Sequence, residues 1–126
     1  MTVDDIYFSE SLYPPSINGL YHYYAAEDGS TYLIVKVTAK NLKGYELKPA
    51  DVATVSCTYE GKYKYRAFCA FEKDGGSDLS SSSWDSIAPL NTGVCYFLIE
   101  VPSEVEHGTV EVSIFTAGSY YYYDIG

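Results

Sequence analysis

The chain predicts an all-β fold, a two-sheet antiparallel sandwich of seven to eight strands, and three observations carry that prediction. First, Thr31 to Asn41 (TYLIVKVTAKN) alternates: Leu33, Val35, Val37 and Ala39 share one face, and Tyr32, Ile34, Lys36, Thr38 and Lys40 share the other. With Ile34 as the exception, this is the period-two pattern of a strand with one face in a core and one in water. Second, similar patterns recur down the chain, and no segment carries a matching helical signal. Third, turn signals separate the segments at short intervals, which suits a sandwich and not a βαβ repeat.

The elements follow in order. Thr2 to Phe8 reads as a first strand, stopped by Pro14 and Pro15, which have no N–H to give a central ladder. Gly19 to Ala25 reads as a Tyr-rich strand, and Glu27-Asp28-Gly29-Ser30 as a turn into the strand Thr31 to Lys40. Asn41 to Lys48 is a loop, and Pro49-Ala50-Asp51 suits one helical turn or a bend. Val52 to Tyr59 then sets Ala53, Val55, Cys57 and Tyr59 on one face, and Glu60-Gly61-Lys62 turns the chain. Tyr63 to Phe71 returns with Tyr63, Tyr65, Ala67, Cys69 and Phe71 on the matching face and Lys64 and Arg66 on the wet one.

Glu72 to Ser86 is rich in Gly, Ser and Asp and reads as a loop, with Trp84 near its end. Val94 to Val101 directs Cys95, Phe97, Ile99 and Val101 inward and ends at Pro102. Glu104 to Gly108 turns into Thr109 to Thr116, with Val110, Val112 and Ile114 inward, and Tyr120 to Ile125 is the last strand. Nothing repeats at a fixed period, and residues 1–126 read as a single domain.

Composition narrows the partners. Acidic residues outnumber basic ones 17 to 8, for a formal charge of −9. Such a surface repels phosphate backbones and anionic headgroups, which argues against nucleic acid, and no apolar run is long enough for membrane insertion by this domain. A chain of 126 residues buries roughly two-thirds of its unfolded surface and needs no metal or disulfide to fold. Met1-Thr2-Val3-Asp4-Asp5 carries neither the basic nor the apolar region of a signal peptide. Two readings fit that start: a cytosolic protein, or the mature part of an exported one behind an initiator methionine.

Three runs carry a resemblance: TYLIVKVTAKN, the interval with PADVATVSC and a hairpin, and SIAPLNTGVCYFLIEVP. Together, over about Thr31 to Val105, they resemble a family of secreted immunoglobulin-like domains of unknown function found in Gram-positive bacterial lipoproteins and surface proteins. Its members tend to carry a strand ending in Asn, a Pro-x-x-x-Gly turn, and a strand closing on Val-Pro; here these are Asn41, Pro89 to Gly93, and Val101-Pro102. Asn41 suits a strand-end cap through backbone hydrogen bonds, and Gly93 a turn that residues with a Cβ avoid. The resemblance implies an immunoglobulin-like sandwich, an extracytoplasmic place, and a binding or structural role with no catalytic residues.

Candidate chemistry is sparse. Cys57, Cys69 and Cys95 all fall on inward faces without CxxC spacing, and His22 and His107 lie far from any second ligand in sequence, so no metal site is expected. The cysteines read either as three buried thiols or as one disulfide, Cys69–Cys95, with Cys57 free; Cys57 faces Tyr65, out of register with Cys69. Asp74-Gly75-Gly76-Ser77-Asp78 offers oxygen ligands to Ca²⁺ but lacks the spacing and closing Glu of a helix-loop-helix calcium site, so a solvated loop is expected, and no cofactor. Glu100 and Glu111 lie outward on strands that could bring two carboxylates together, but without a surrounding cleft. Ser80 to Ser83 lacks a nucleophile elbow.

The fifteen tyrosines are the strongest functional signal. Tyr21, Tyr23 and Tyr24 cluster early, and Tyr120 to Tyr123 alternate faces near the end, so at least two of that run meet solvent. Exposed rings serve either cross-strand packing or recognition. The leading expectation is a non-enzymatic interaction or accessory domain of a secreted or surface-anchored bacterial protein, binding a protein or cell-wall partner. The alternative is a carbohydrate-binding module that stacks glycan on Tyr121, Tyr123 and Trp84. The final strand is also expected to leave an edge open to another chain.

Overall fold

The computed structural model describes residues 1–17, 19–81 and 85–125, and strands dominate it. In chain order they are β1 (Thr2–Ser9), β2 (Ser11–Leu12), β3 (Tyr24–Ala25), β4 (Ser30–Lys40), β5 (Thr54–Tyr59), β6 (Tyr63–Arg66), β7 (Phe68–Lys73), β8 (Asp78–Ser80), β9 (Thr92–Pro102), β10 (Val110–Thr116) and β11 (Ser119–Ile125). The one α-helical turn among the described residues, α1 (Pro49–Val52), starts on the proline expected there, whose fixed φ suits a first helical position.

Two antiparallel sheets carry the fold, in the orders β1-β4-β9-β7-β8 and β11-β10-β5-β6, with β2-β3 as a separate hairpin. Lettered along the chain, β1, β4, β9 and β7 take the A-B-E-D order of an immunoglobulin sheet, and β11, β10, β5 and β6 take G-F-C-C′. The all-β sandwich is therefore present, with its core between the sheets. Leu33, Val35 and Val37 of β4 meet Phe97, Ile99 and Val101 of β9 within their sheet, and face Val55 of β5 and Val110, Val112 and Ile114 of β10. Alternation places all of these inward, because sheet side chains repeat every two residues.

The expected wet face of β4 is wrong over its first half. Tyr32 and Ile34 are buried in a second apolar cluster with Leu12, Ala70, Leu79, Tyr96 and Leu98. Chain from β2, β3 and β8 supplies the cover: Leu12 and Leu79 belong to this cluster, and Tyr24 and Ala26 pack against it. Burial then fades along the strand, through half-buried Lys36 and Thr38 to exposed Lys40.

Other expectations shift in detail. Of the Tyr-rich stretch Gly19 to Ala25, only Tyr24–Ala25 pairs. The return arm Tyr63 to Phe71 is two strands: β6 pairs with β5, and after Ala67 the chain crosses to the other sheet, where β7 pairs with β9. Crossing the sandwich corner keeps the same side inward, so the alternation runs unbroken through it. The loop Glu72 to Ser86 contains β8, anchored by buried Leu79.

Asn41 does cap the end of β4, and does so fully buried. Its Nδ2 donates to the carbonyls of Tyr45 (2.7 Å) and Ile87 (2.8 Å), and its Oδ1 accepts from the Lys43 amide (2.8 Å). Gly93 has a different reason from the one expected. The left-handed φ in this turn belongs to Leu90, at 64°. A Cβ on Gly93 would instead stand 2.7 Å from the Ile87 side chain, so any larger residue there would have to displace Ile87.

Candidate functional site

The hairpin β10–β11 builds the most exposed ring surface on a regular ladder. Its turn residues Ala117 and Gly118 both have left-handed φ (50° and 76°), the conformation of a two-residue type I′ connection. That turn fixes the register: Phe115 lies opposite Tyr120, Ser113 opposite Tyr122, Ile114 opposite Tyr121 and Val112 opposite Tyr123. Tyr120 and Tyr122 therefore share the outer face with Phe115, while Tyr121 and Tyr123 lie on the core side of this edge strand.

On the outer face, the Phe115 and Tyr120 rings are 4.6 Å apart between centroids, and Tyr120 and Tyr122 stand parallel within 9° at 6.2 Å. Tyr120 and Tyr122 remain 62% and 60% exposed. The neighbouring strands extend the face: Ser113 lies opposite Ser56, and Ser56 opposite Arg66, so one row runs Tyr122-Ser113-Ser56-Arg66 across four strands. The adjacent row runs Asp124-Glu111-Thr58-Lys64. A depression of about 620 Å³ opens here, walled by Pro49 and Ala50 of α1 and by Phe115 and Tyr120. Thr54, Ser56 and Ser113 line it with hydroxyls, and Arg66 also borders it. Beside the corner at Ala67 it reaches Cys69 and Phe97. That volume is within the range of small-molecule sites, roughly 300–1,000 Å³.

The residues singled out in the sequence are placed differently. Tyr121 and Tyr123 are 51% and 38% exposed but do not join the outer ring strip. Trp84 lies outside the described residues, as do Ser82 and Ser83. The signal that finds Tyr120 and Tyr122 is in the sequence: with Ile114 inward and a two-residue turn at Ala117-Gly118, pairing places Tyr121 inward and its neighbours outward. Of the early tyrosines, Tyr24 turns in against Phe68 (5.5 Å), while Tyr21 and Tyr23 pack with Tyr13. Those last three rings sit on a loop excursion without ladder pairing, so they are less preorganised than the β10–β11 strip.

Glu100 and Glu111 are not brought together: they lie on different sheets, and the Glu100 carboxylate accepts the Glu27 amide at 3.0 Å. His22 meets Asp78 at 3.2 Å on the surface, and backbone donation from His22 holds the Asp78 carboxyl below its ordinary range. Among the described residues no group of three or more His, Cys, Asp or Glu is placed to hold a metal ion.

Cys69 and Cys95 lie diagonally on β7 and β9, opposite Phe97 and Phe71, and a thiol hydrogen bond between them together with burial drives the Cys95 thiol well above its ordinary range. Burial likewise pushes Cys57 up to about 11. Thiols held this way are poor nucleophiles, since the thiolate is the reactive form. All three cysteines are free thiols in the structure, the first of the two readings, and the contact makes Cys69 and Cys95 the two that an oxidant would join. A domain refolded with glutathione disulfide is expected to lose two of its three thiols in a denaturing thiol titration, with the bridge mapped to Cys69 and Cys95 by peptide mass. Three titratable thiols would count against that pairing.

Fold and face define an immunoglobulin-type β-sandwich with a ring-lined sheet surface. The chain is similar to an uncharacterized β-sandwich protein from Clostridium difficile 630, with 31% identity and a TM-score of 0.92 over 99% of this chain and 83% of that one. It belongs to the same family as that protein. A conserved hypothetical protein from Bacillus anthracis shares the fold at 18% identity and a TM-score of 0.59, over 99% of this chain and 85% of that one. No family model and no curated protein matches the chain.

Proposed function

We propose that this chain is a non-catalytic binding domain of a secreted or surface-anchored bacterial protein, and that it holds a saccharide on the outer face of β11-β10-β5-β6. One observation carries this reading: the exposed Tyr120 ring, with Tyr122 parallel beside it and Phe115 steadying it, borders a depression in which Thr54, Ser56 and Ser113 set hydroxyls among apolar side chains. Flat rings offer apolar contact to the C–H faces of a sugar at low entropy cost, and hydroxyls match its polar edges. The resemblance to extracytoplasmic domains supports the place, and a cell-wall glycan is the natural ligand there.

Titration with soluble cell-wall glycan fragments and plant polysaccharides, followed by intrinsic fluorescence, tests it. Tyr120→Ala and Tyr122→Ala are each expected to weaken binding about tenfold or more, the cost of losing a central aromatic anchor. Tyr121→Ala, on the other side of the strand, is expected to change it less than about twofold. Saturable binding that survives both outer-face substitutions would refute the assignment.

A second reading, docking of a protein partner, draws on a different observation. Among the described residues strand β11 pairs on one side only, and its seven residues contain no Pro, no Lys and no bulge, so Asp124 is its one charged guard against edge pairing. Pull-downs that depend on β11 while every glycan leaves the fluorescence flat would favour that reading.

A further inference from the structure

We infer that the saccharide held on this face is acidic, with an isolated carboxylate docked at Arg66 and neighbouring sugar rings over Tyr122 and Tyr120. This rests on the saccharide reading and names its ligand class.

Charge placement carries the argument. Arg66 is the single arginine of the chain, in a sequence with 17 acidic and 8 basic residues. Among the described residues Lys73 is the one lysine or arginine whose cation pairs with a carboxylate, that of Asp85 at 2.8 Å. Among the described residues, neither Arg66 nor Lys64 has a carboxylate within ion-pair distance, and both are exposed on β6. The carboxylates of this face, Glu111 and Asp124, stand in the neighbouring row on β10 and β11. The face is therefore polarised across its strands, positive at β6 and negative toward one end of β11. A ligand with one acidic end is oriented by that pattern, its anion toward Arg66 and away from Asp124.

Geometry sets the span. Arg66 and Tyr122 sit at the two ends of one row, three interstrand steps apart, or about 14 Å at the usual strand spacing. Ser56 and Ser113 lie between them, half-buried and able both to donate and to accept. A planar guanidinium matches a carboxylate through two parallel hydrogen bonds, which a neutral sugar cannot return. The net charge of −9 adds a limit: it repels a densely charged polymer at long range, so the ligand is one whose carboxylates are separated by neutral sugars.

The test compares a hyaluronan tetrasaccharide and aldouronic acids with their carboxyl-reduced counterparts by calorimetry, on the parent, Arg66→Gln and Arg66→Lys. Arg66 is exposed at a strand end, and equal melting temperatures establish that the variants fold. At least one acidic ligand is expected to bind the parent about tenfold more tightly than its reduced form, the usual margin of a hydrogen bond to a charged group. Arg66→Gln is expected to erase that preference, and Arg66→Lys to restore part of it. Equal binding of acidic and reduced ligands, or a preference that survives Arg66→Gln, would overturn the acidic assignment and leave the saccharide reading standing. Arg66-dependent binding of poly(glycerol phosphate) without binding of any uronate would overturn the carboxylate. No binding of acidic or neutral sugars would overturn both.

Discussion

Val37→Asp is expected to abolish the folded domain at neutral pH. Val37 is fully buried in the inter-sheet core, where β9 places Cys95 opposite it. Aspartate there loses the apolar transfer energy of valine, about 2 kcal/mol. It must also either stay charged in the core or take a proton, and holding a carboxyl neutral at pH 7 costs about 4 kcal/mol from its ordinary pKa. The combined cost, about 6 kcal/mol, is comparable with the whole stability of a domain, roughly 5–15 kcal/mol. Circular dichroism should show loss of the strand signal, whereas Val37→Ala, which adds no charge, should lose about 2 kcal/mol and stay folded. The pH dependence has a definite sign. Burial raises the folded-state pKa of the new carboxyl above its unfolded value, so the penalty grows as pH rises from about 4 toward the folded pKa and shrinks below that. The gap between variant and parent should therefore narrow on acidification. Parent-like melting at pH 7 would refute the inward assignment of this face.

The ease of reading that face from sequence, and the difficulty of reading others, have one cause. A strand writes one bit per residue, which side it faces, and that bit is legible where neighbours alternate. It is legible in Leu33-Val35-Val37, in Cys95-Phe97-Ile99-Val101 and in Val110-Val112-Ile114, all of which face the core. The bit does not say which sheet a strand joins. Tyr63 to Phe71 alternates straight through Ala67, where the chain changes partners from β5 to β9, because both partners share one interior. Nor does alternation reveal a neighbour distant in sequence: Gly93 is small because Ile87 approaches it, not because its own backbone requires it. The candidate face suffered from the same limit. Four consecutive tyrosines announce two rings on each side, and only the register with β10 assigns Tyr120 and Tyr122 to the side that carries Phe115, Ser113 and, two strands further, Arg66. The Tyr121 and Tyr123 pair was the other solution of the same ambiguity.

Ile34→Asp is the second substitution expected to be ruinous, and it tests the part of the fold that periodicity misjudged. By alternation Ile34 belongs with Lys36 and Lys40 on a wet face, where a carboxylate would change stability by no more than about 0.5 kcal/mol. In the structure it is fully buried between Tyr32, Leu98 and the residues contributed by β2 and β8. The cost should therefore match that at Val37, about 6 kcal/mol, since the same transfer and ionisation terms apply on both sides of the sheet. Lys40→Asp, at the exposed end of the same strand, is the control and should melt within a few degrees of the parent. Near-equal loss at Ile34 and Val37 would establish that β4 is a central strand covered on both faces. The outer surface of its sheet is then occupied by its own chain at this end, whereas Tyr120 and Tyr122 on the outer face of β11-β10-β5-β6 stay exposed. If Ile34→Asp melts like Lys40→Asp, the second cluster does not form in solution, and that asymmetry between the two sheets is lost with it.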